Sequence, residues 1–229
     1  MRESKALIRS MLAAKDFGSI EHLASSKTGV TRTLVSLLYD NDELIRFRAA
    51  TALGAAASAE GSRKPERVRN LIRGLFWTMN DESGSICWHA PEAIAEILIN
   101  LPALRGEFLP ILLSFIDEEP FQRGVHRAAC RLSRDDSSTM SAYSSRLTRS
   151  LSNQDPIIRG LAALALGTIG DASHVSALRS IESDKAAFAH FDTDLSEFVK
   201  LTVGQIASHA IARLDLIEPI KEEKIKGDA

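Results

Sequence analysis

Apolar residues recur at three- and four-residue intervals along almost the whole chain, the spacing of helices that bury one face. In residues 3–14, Leu7, Ile8, Met11 and Leu12 keep this phase, Gly18 interrupts it, and residues 20–24 carry a short second helix. From Val30 onward the pattern repeats on a larger scale. Ile45-Arg46-Phe47-Arg48-Ala49-Ala50-Thr51-Ala52-Leu53-Gly54 returns nearly residue for residue as Ile158-Arg159-Gly160-Leu161-Ala162-Ala163-Leu164-Ala165-Leu166-Gly167. Residues 86–95 and 125–132 fall into the same frame, and residues 198–207 form a looser copy. With Ala49 as anchor, the equivalents are Ala90, Ala128, Ala162 and Thr202, at steps of 41, 38, 34 and 40 residues. Steps of this size belong to stacked two-helix repeats.

Each copy follows an apolar helix, at 30–38, 68–79, 108–115 and 143–151, and a polar turn, at 40–42, 80–82, 117–120 and 153–156. Acidic and Asn side chains in those turns suit the positive end of the next helix. Ala49, Ala50, Ala162 and Ala163 let neighbouring helices approach, and Leu53 and Leu166 fill the space between layers. One such pair cannot bury its apolar face alone, whereas several stacked pairs can. The chain is therefore predicted to be all-α: a solenoid of about five helix pairs in residues 28–217, behind an N-terminal helical cap at 1–27, forming one domain of about twelve helices with no sheet. Residues 184–194 read as an inserted loop holding Phe188, His190 and Phe191. Residues 218–229 read as a charged, disordered tail.

Composition changes this picture little. The 229 residues are 45% hydrophobic and 25% charged, with a formal net charge of −2, so no global field draws the chain to nucleic acid or an anionic membrane. The N-terminus lacks a signal-peptide pattern, and no apolar run is long enough to span a bilayer. Cys87 and Cys130, the only cysteines, have no metal-site spacing and read as small buried residues in a reduced, cytoplasmic protein.

The pattern Ile-Arg-x-x-Ala-Ala-x-Ala-Leu-Gly resembles the HEAT-like repeats of the phycobilisome-lyase type, over residues 30–214. The resemblance implies a helical-repeat fold and leaves activity open, because such repeats serve lyases, hydroxylases, DNA glycosylases and scaffolds. Residues 77–96 resemble more closely a group of prokaryotic HEAT-like proteins without an assigned activity, marked by Trp-x-x-Asn-Asp-Glu-Ser-Gly followed by a Trp and Pro-Glu-Ala-Ile-Gly-Glu. Trp77, Asn80, Asp81, Glu82, Ser83, Gly84, Trp88, Pro91, Glu92, Ala93, Ile94 and Glu96 match, while Cys87 and Ala95 stand where the group has Gly.

This stretch is where the repeat departs from its own rules. It holds both tryptophans, and Pro91 replaces the Ala found at position 50 and at position 163. On a helix, His89, Glu92 and Glu96 follow i, i+3, i+7 and share a face, with Trp88 beside them. The second helix of a HEAT-like pair usually lines the concave surface, so the resemblance implies that this face looks into a groove. The candidate binding residues are Trp77, Asn80, Asp81, Glu82, Ser83, Trp88, His89, Glu92 and Glu96. The plainer alternative has Asp81 and Glu82 capping a helix, Trp77 filling the core, and Glu92 and Glu96 solvated, with Ala93, Ile94 and Ile97 on the buried side.

No metal or cofactor is implied. His89-x-x-Glu92 has the spacing of one di-iron half-site in reverse order, and no second half-site accompanies it. Arg63, Lys64, Arg67, Arg69 and Arg73, and again Arg123, Arg127, Arg131 and Arg134, form basic strips that read as solvated faces; the net charge argues against a DNA binder. The function expected from these features is a scaffold that binds a protein or peptide in the concave groove, without nucleic acid or membrane. The alternative is an enzyme built on residues 77–96, a lyase acting on a bound cofactor or a glycosylase-like base-excision enzyme.

Overall fold

The computed structural model describes residues 2–79 and 86–216. Among them the chain is predominantly helical, with thirteen α-helices, three short 3-10 turns and one small sheet. In chain order the helices are α1 (Arg2–Ala13), α2 (Phe17–Ser26), α3 (Val30–Leu37), α4 (Glu43–Gly61), α5 (Pro65–Met79), α6 (Ala90–Asn100) and α7 (Arg105–Ser114). They continue as α8 (Gln122–Asp135), α9 (Ser137–Ser141), α10 (Ser144–Ser150), α11 (Pro156–Ile169), α12 (Val175–Arg179) and, after the strands β1 (Ala187–Asp192) and β2 (Glu197–Thr202), α13 (Val203–Asp215). The tail at 218–229 lies outside the described residues.

The described residues divide into two compact units. One comprises the chain up to Ala128 together with Phe191–Phe198; the other comprises Ala129–His190 and the residues from Val199 onward. In the first unit α4 is the central helix, packed against α2, α3, α5 and α6. Its Ala-rich sequence is buried over most of its circumference between Ile45 and Gly61, with Thr51, Ala55 and Ser58 half-buried along one stripe. At Gly54 it meets α6 so closely that a Cβ there would stand 2.5 Å from the Glu96 carbonyl oxygen. In the second unit α11 packs on α10 and α13. There Gly167, the repeat equivalent of Gly54, would place a Cβ 2.5 Å from that of Ala210.

The two best-matched sequence copies carry the same local bonds. Asp42 caps α4 by accepting from the Leu44 amide, and Asp155 caps α11 by accepting from the Ile157 amide. The Asp40 side chain accepts from the Asp42 amide and that of Asn153 from the Asp155 amide, at 3.0 and 2.9 Å. Arg46 Nη1 donates back to the Asp40 carbonyl, and Arg159 Nη1 to the Asn153 carbonyl, both at 2.7 Å. Each turn is thus locked from its amide side by a carboxylate or amide and from its carbonyl side by an arginine.

The sheet corrects two sequence expectations. Residues 184–194 are not a bare loop, and residues 198–202 do not open a helix: 187–192 and 197–202 pair as a two-stranded hairpin. Phe198, Val199 and Thr202 are aromatic or β-branched side chains that fit a pleated strand. The reversal is built by Asp192, whose side chain accepts from the amides of Asp194 and Leu195, and by Ser196 at φ 52°. The following helix starts at Val203 because Thr202 and Gln205 form a reciprocal capping box.

Candidate functional site

Residues 77–96 run from the last turn of α5 through the start of α6. Asn80, Asp81, Glu82 and Ser83 lie outside the described residues. Trp77 sits off the buried stripe of α5, which is Val68, Ile72, Leu75, Phe76 and Met79, and it is 76% exposed. That stripe was readable in the sequence and already excludes Trp77 from the core. Trp88 lies in the turn ahead of α6 and is 58% exposed. Pro91 occupies the first turn of α6, where its missing N–H would have had no helical partner, so the helix simply begins there without a kink.

The carboxylates behave differently from the sequence expectation. His89, Glu92 and Glu96 are not on an open face beside Trp88; they are 6%, 8% and 6% exposed. Nor are Glu92 and Glu96 solvated, as the plainer alternative had it. α6 is apolar and buried from Ala90 to Leu98 because α4, α5 and α7 pack around it. The Glu92 side is closed by α8, where a Cβ on Gly124 would stand 3.0 Å from both Glu92 Oε2 and Pro91 Cγ. Ala93, Ile94 and Ile97 are fully buried.

The buried groups form a chain of charge. Arg46 Nε donates to His89 Nε2 at 3.1 Å, so the neutral imidazole carries its proton on Nδ1. Nδ1 points toward Glu92 Oε1 at 3.6 Å, and Arg127 Nη1 stands 3.6 Å from the same oxygen. Neither separation is a hydrogen bond. Both Glu92 oxygens and His89 Nδ1 are left without a hydrogen-bond partner among the described residues. Burial works to raise the pKa of Glu92, but the His89 ring N–H and the Arg127 charge outweigh it and hold the carboxyl below its ordinary value.

Phe47 forms the floor of this cluster. The His89 ring meets its edge at 4.6 Å, the Arg127 guanidinium lies 5.2 Å from its centroid, and Phe191 from the hairpin tip stacks on it at 4.8 Å. Sequence reasoning placed Arg127 in a solvated strip and Phe191 on a loop, and it missed Phe47 and Arg46 as site neighbours. Arg46 carried one available signal, its duplication at Arg159. Three other strip residues also have carboxylate partners: Arg69 and Arg73 pair with Glu107, and Arg67 with Glu60.

Cys87, ahead of Trp88, is 1% exposed, and burial pushes its thiol up to about 11. It stays protonated at neutral pH and is no nucleophile. Among the described residues no group of three His, Cys, Asp or Glu side chains could hold a metal ion. No single helix there is long and apolar enough to cross a membrane.

No protein-family model matches the chain. A protein of Archaeoglobus fulgidus described as "Uncharacterized protein" is 39% identical over 116 residues, which is 48% of this chain and 57% of that protein. The chain thus spans little more than half the length of that relative. A crystal structure of an engineered protein, determined by the Northeast Structural Genomics Consortium, superposes with a TM-score of 0.50 over 94% of this chain and 98% of its own, at 18% identity. At that identity the likeness bears on the fold alone.

Proposed function

We propose that this protein is an interaction scaffold, a HEAT-like helical-repeat solenoid that binds a protein or peptide partner at the surface carrying Trp77 and Trp88. The observation that carries this reading is the exposure of both indoles, 76% and 58%, in a chain whose other long apolar side chains are mostly buried. An exposed indole gives a partner a large, rigid contact at small entropic cost, and Trp is enriched among interface hot spots. The solenoid part of the reading is supported by the duplicated turn locks at Arg46 and Arg159 and by the paired close approaches at Gly54 and Gly167. The enzyme alternative has less support, because Glu92 and His89 are buried, and the Cys87 thiol, although it lines a cleft, is held protonated by its own burial.

The test compares wild type with the Trp77→Ala/Trp88→Ala double variant, each immobilised and exposed to native lysate. The wild type should retain a defined partner and the variant should lose it, at an unchanged melting temperature. Equal retention by both proteins would refute the reading.

A further inference from the structure

A cleft of ≈ 710 Å³ lies between α3 and α5 in the first unit, lined along α5 by Arg67, Asn70, Leu71, Gly74, Leu75 and Thr78. These positions recur every three or four residues, so one stripe of α5 walls the cleft for three turns, roughly 16 Å. Val35 faces them from α3.

Gly74 stands in the middle of this wall, well inside a 15-residue helix. Glycine in a helix interior gives up more conformational freedom on folding than alanine does, so it calls for a reason. Other helical glycines of this chain have one. A Cβ on Gly54 would meet the α6 backbone at 2.5 Å, one on Gly124 would meet Pro91 of α6 at 3.0 Å, and one on Gly167 would meet Ala210 of α13 at 2.5 Å. Each marks a place where one helix crosses another. Gly18 and Gly106 face open space, but each is the second residue of its helix, ahead of the helical hydrogen-bond ladder. At Gly74 there is nothing within 4 Å, and its φ is not left-handed. Nothing within the fold accounts for a glycine there.

The charge of the cleft says what would fit. Arg32 lines it from α3 and makes no ion pair among the described residues. Arg67 is half exposed beside Glu60 at 3.4 Å, and Glu60 also accepts the Thr31 hydroxyl at 2.7 Å. Among the described residues, two arginines against one carboxylate leave the rim cationic. Trp77 follows Gly74 by three residues and Asn70 by seven, which sets the indole on the same side of α5.

We propose that the cleft receives an amphipathic α-helix of a protein partner, which crosses α5 at Gly74. Its apolar stripe lies on Val35, Leu71 and Leu75, and an acidic side chain meets Arg32. This gives a chemistry to the partner proposed above and rests on that reading.

The experiment places the photo-crosslinking residue p-benzoylphenylalanine at Asn70 of the full-length protein, irradiates it in native lysate and maps the crosslinked peptide by mass spectrometry. The crosslinks should converge on one segment with apolar residues at three- and four-residue spacing and an acidic residue beside them. The yield should fall at least tenfold with Gly74→Leu and several-fold with Arg32→Glu. Leucine is a better helix former than glycine and a Cβ at position 74 has nothing within 4 Å, so that variant should melt no lower than wild type; Arg32→Glu, on the exposed rim, is the independent control. A segment without helical apolar spacing, or a yield indifferent to both changes, overturns the proposal. Loss of the partner with Trp77→Ala/Trp88→Ala but not with Gly74→Leu also overturns it, while leaving the indole surface intact. A small molecule released on denaturing the wild type, and absent from Gly74→Leu, would reassign the cleft to that ligand and overturn the helix. If wild type captures nothing, both readings fall.

Discussion

Arg46 and His89 are joined by a single hydrogen bond, Nε to Nε2 at 3.1 Å, and it couples a repeat turn to the buried Glu92. The same arginine clamps that turn through the Asp40 carbonyl. Its counterpart Arg159 clamps the Asn153 carbonyl but turns its Nε to Asp184 Oδ2, at 2.9 Å. One conserved geometry thus ends on a neutral acceptor in one copy and on a carboxylate in the other. Nitrogen-15 NMR of labelled histidine should show neutral His89 protonated at Nδ1. Arg46→Met, which removes the donor, should shift the population toward the Nε2–H form; an unchanged spectrum would mean the bond does not set the tautomer.

Glu92 should be a stability determinant rather than a bystander. Its carboxylate is 8% exposed and pairs with Arg127 at 3.6 Å. Removing the cation by Arg127→Met should destabilise the protein by about 3–5 kcal/mol, because it leaves a buried charge uncompensated. Glu92→Gln should cost less, about 1–3 kcal/mol. Urea titrations of both variants check the order.

The pH dependence follows from the same pair. The folded pKa of Glu92 lies below its ordinary value of 4.5, so near that value the unfolded chain binds more protons. The stabilising contribution is therefore full above pH 4.5 and is lost as pH falls through the lowered folded value. Relative to wild type, Glu92→Gln should show a flatter loss of stability below pH 4.5. Parallel acid limbs would mean that Glu92 does not titrate with folding.

Two glycine-to-alanine changes should have opposite signs. Gly54→Ala drives a methyl into the α6 backbone and should cost about 1–3 kcal/mol. Gly74→Ala meets open space and should stabilise by about 0.5–1 kcal/mol. Thermal melts of the two variants on either side of wild type would agree with this; two losses would mean that position 74 is constrained from within.

Arg48 is buried, 4% exposed, and it gathers the carbonyls of Leu12, Ala13 and Ser196 with the Glu197 carboxylate. Arg48→Met strands those acceptors and should cost about 3 kcal/mol or more. Arg48→Lys should recover less than half, because an ammonium cannot reproduce the forked donor geometry. Trp77→Ala and Trp88→Ala should each move stability by only about 0.5 kcal/mol, since both indoles are exposed.

What the sequence alone determined was what local physics controls. The helices around residues 43–61 and 156–169 and their Asp caps follow from residues a few positions apart, so the duplicated pattern was enough to place them. Helix phase also set Glu92 and Glu96 on one face of α6, behind His89 at its N-cap. It could not tell which way that face turns. Phase is relative to the helix's own axis, and the direction was decided by α4 closing on α6 at Gly54 and by α8 approaching Glu92 at Gly124. The hairpin was lost for a related reason: a short aromatic run suits strand or helix locally, and here Phe191 stacks on Phe47, far away in the chain. Burial and charge pairing are properties of what arrives from elsewhere, so the change of Glu92 from an expected surface contact to a buried ion pair belonged to the tertiary structure.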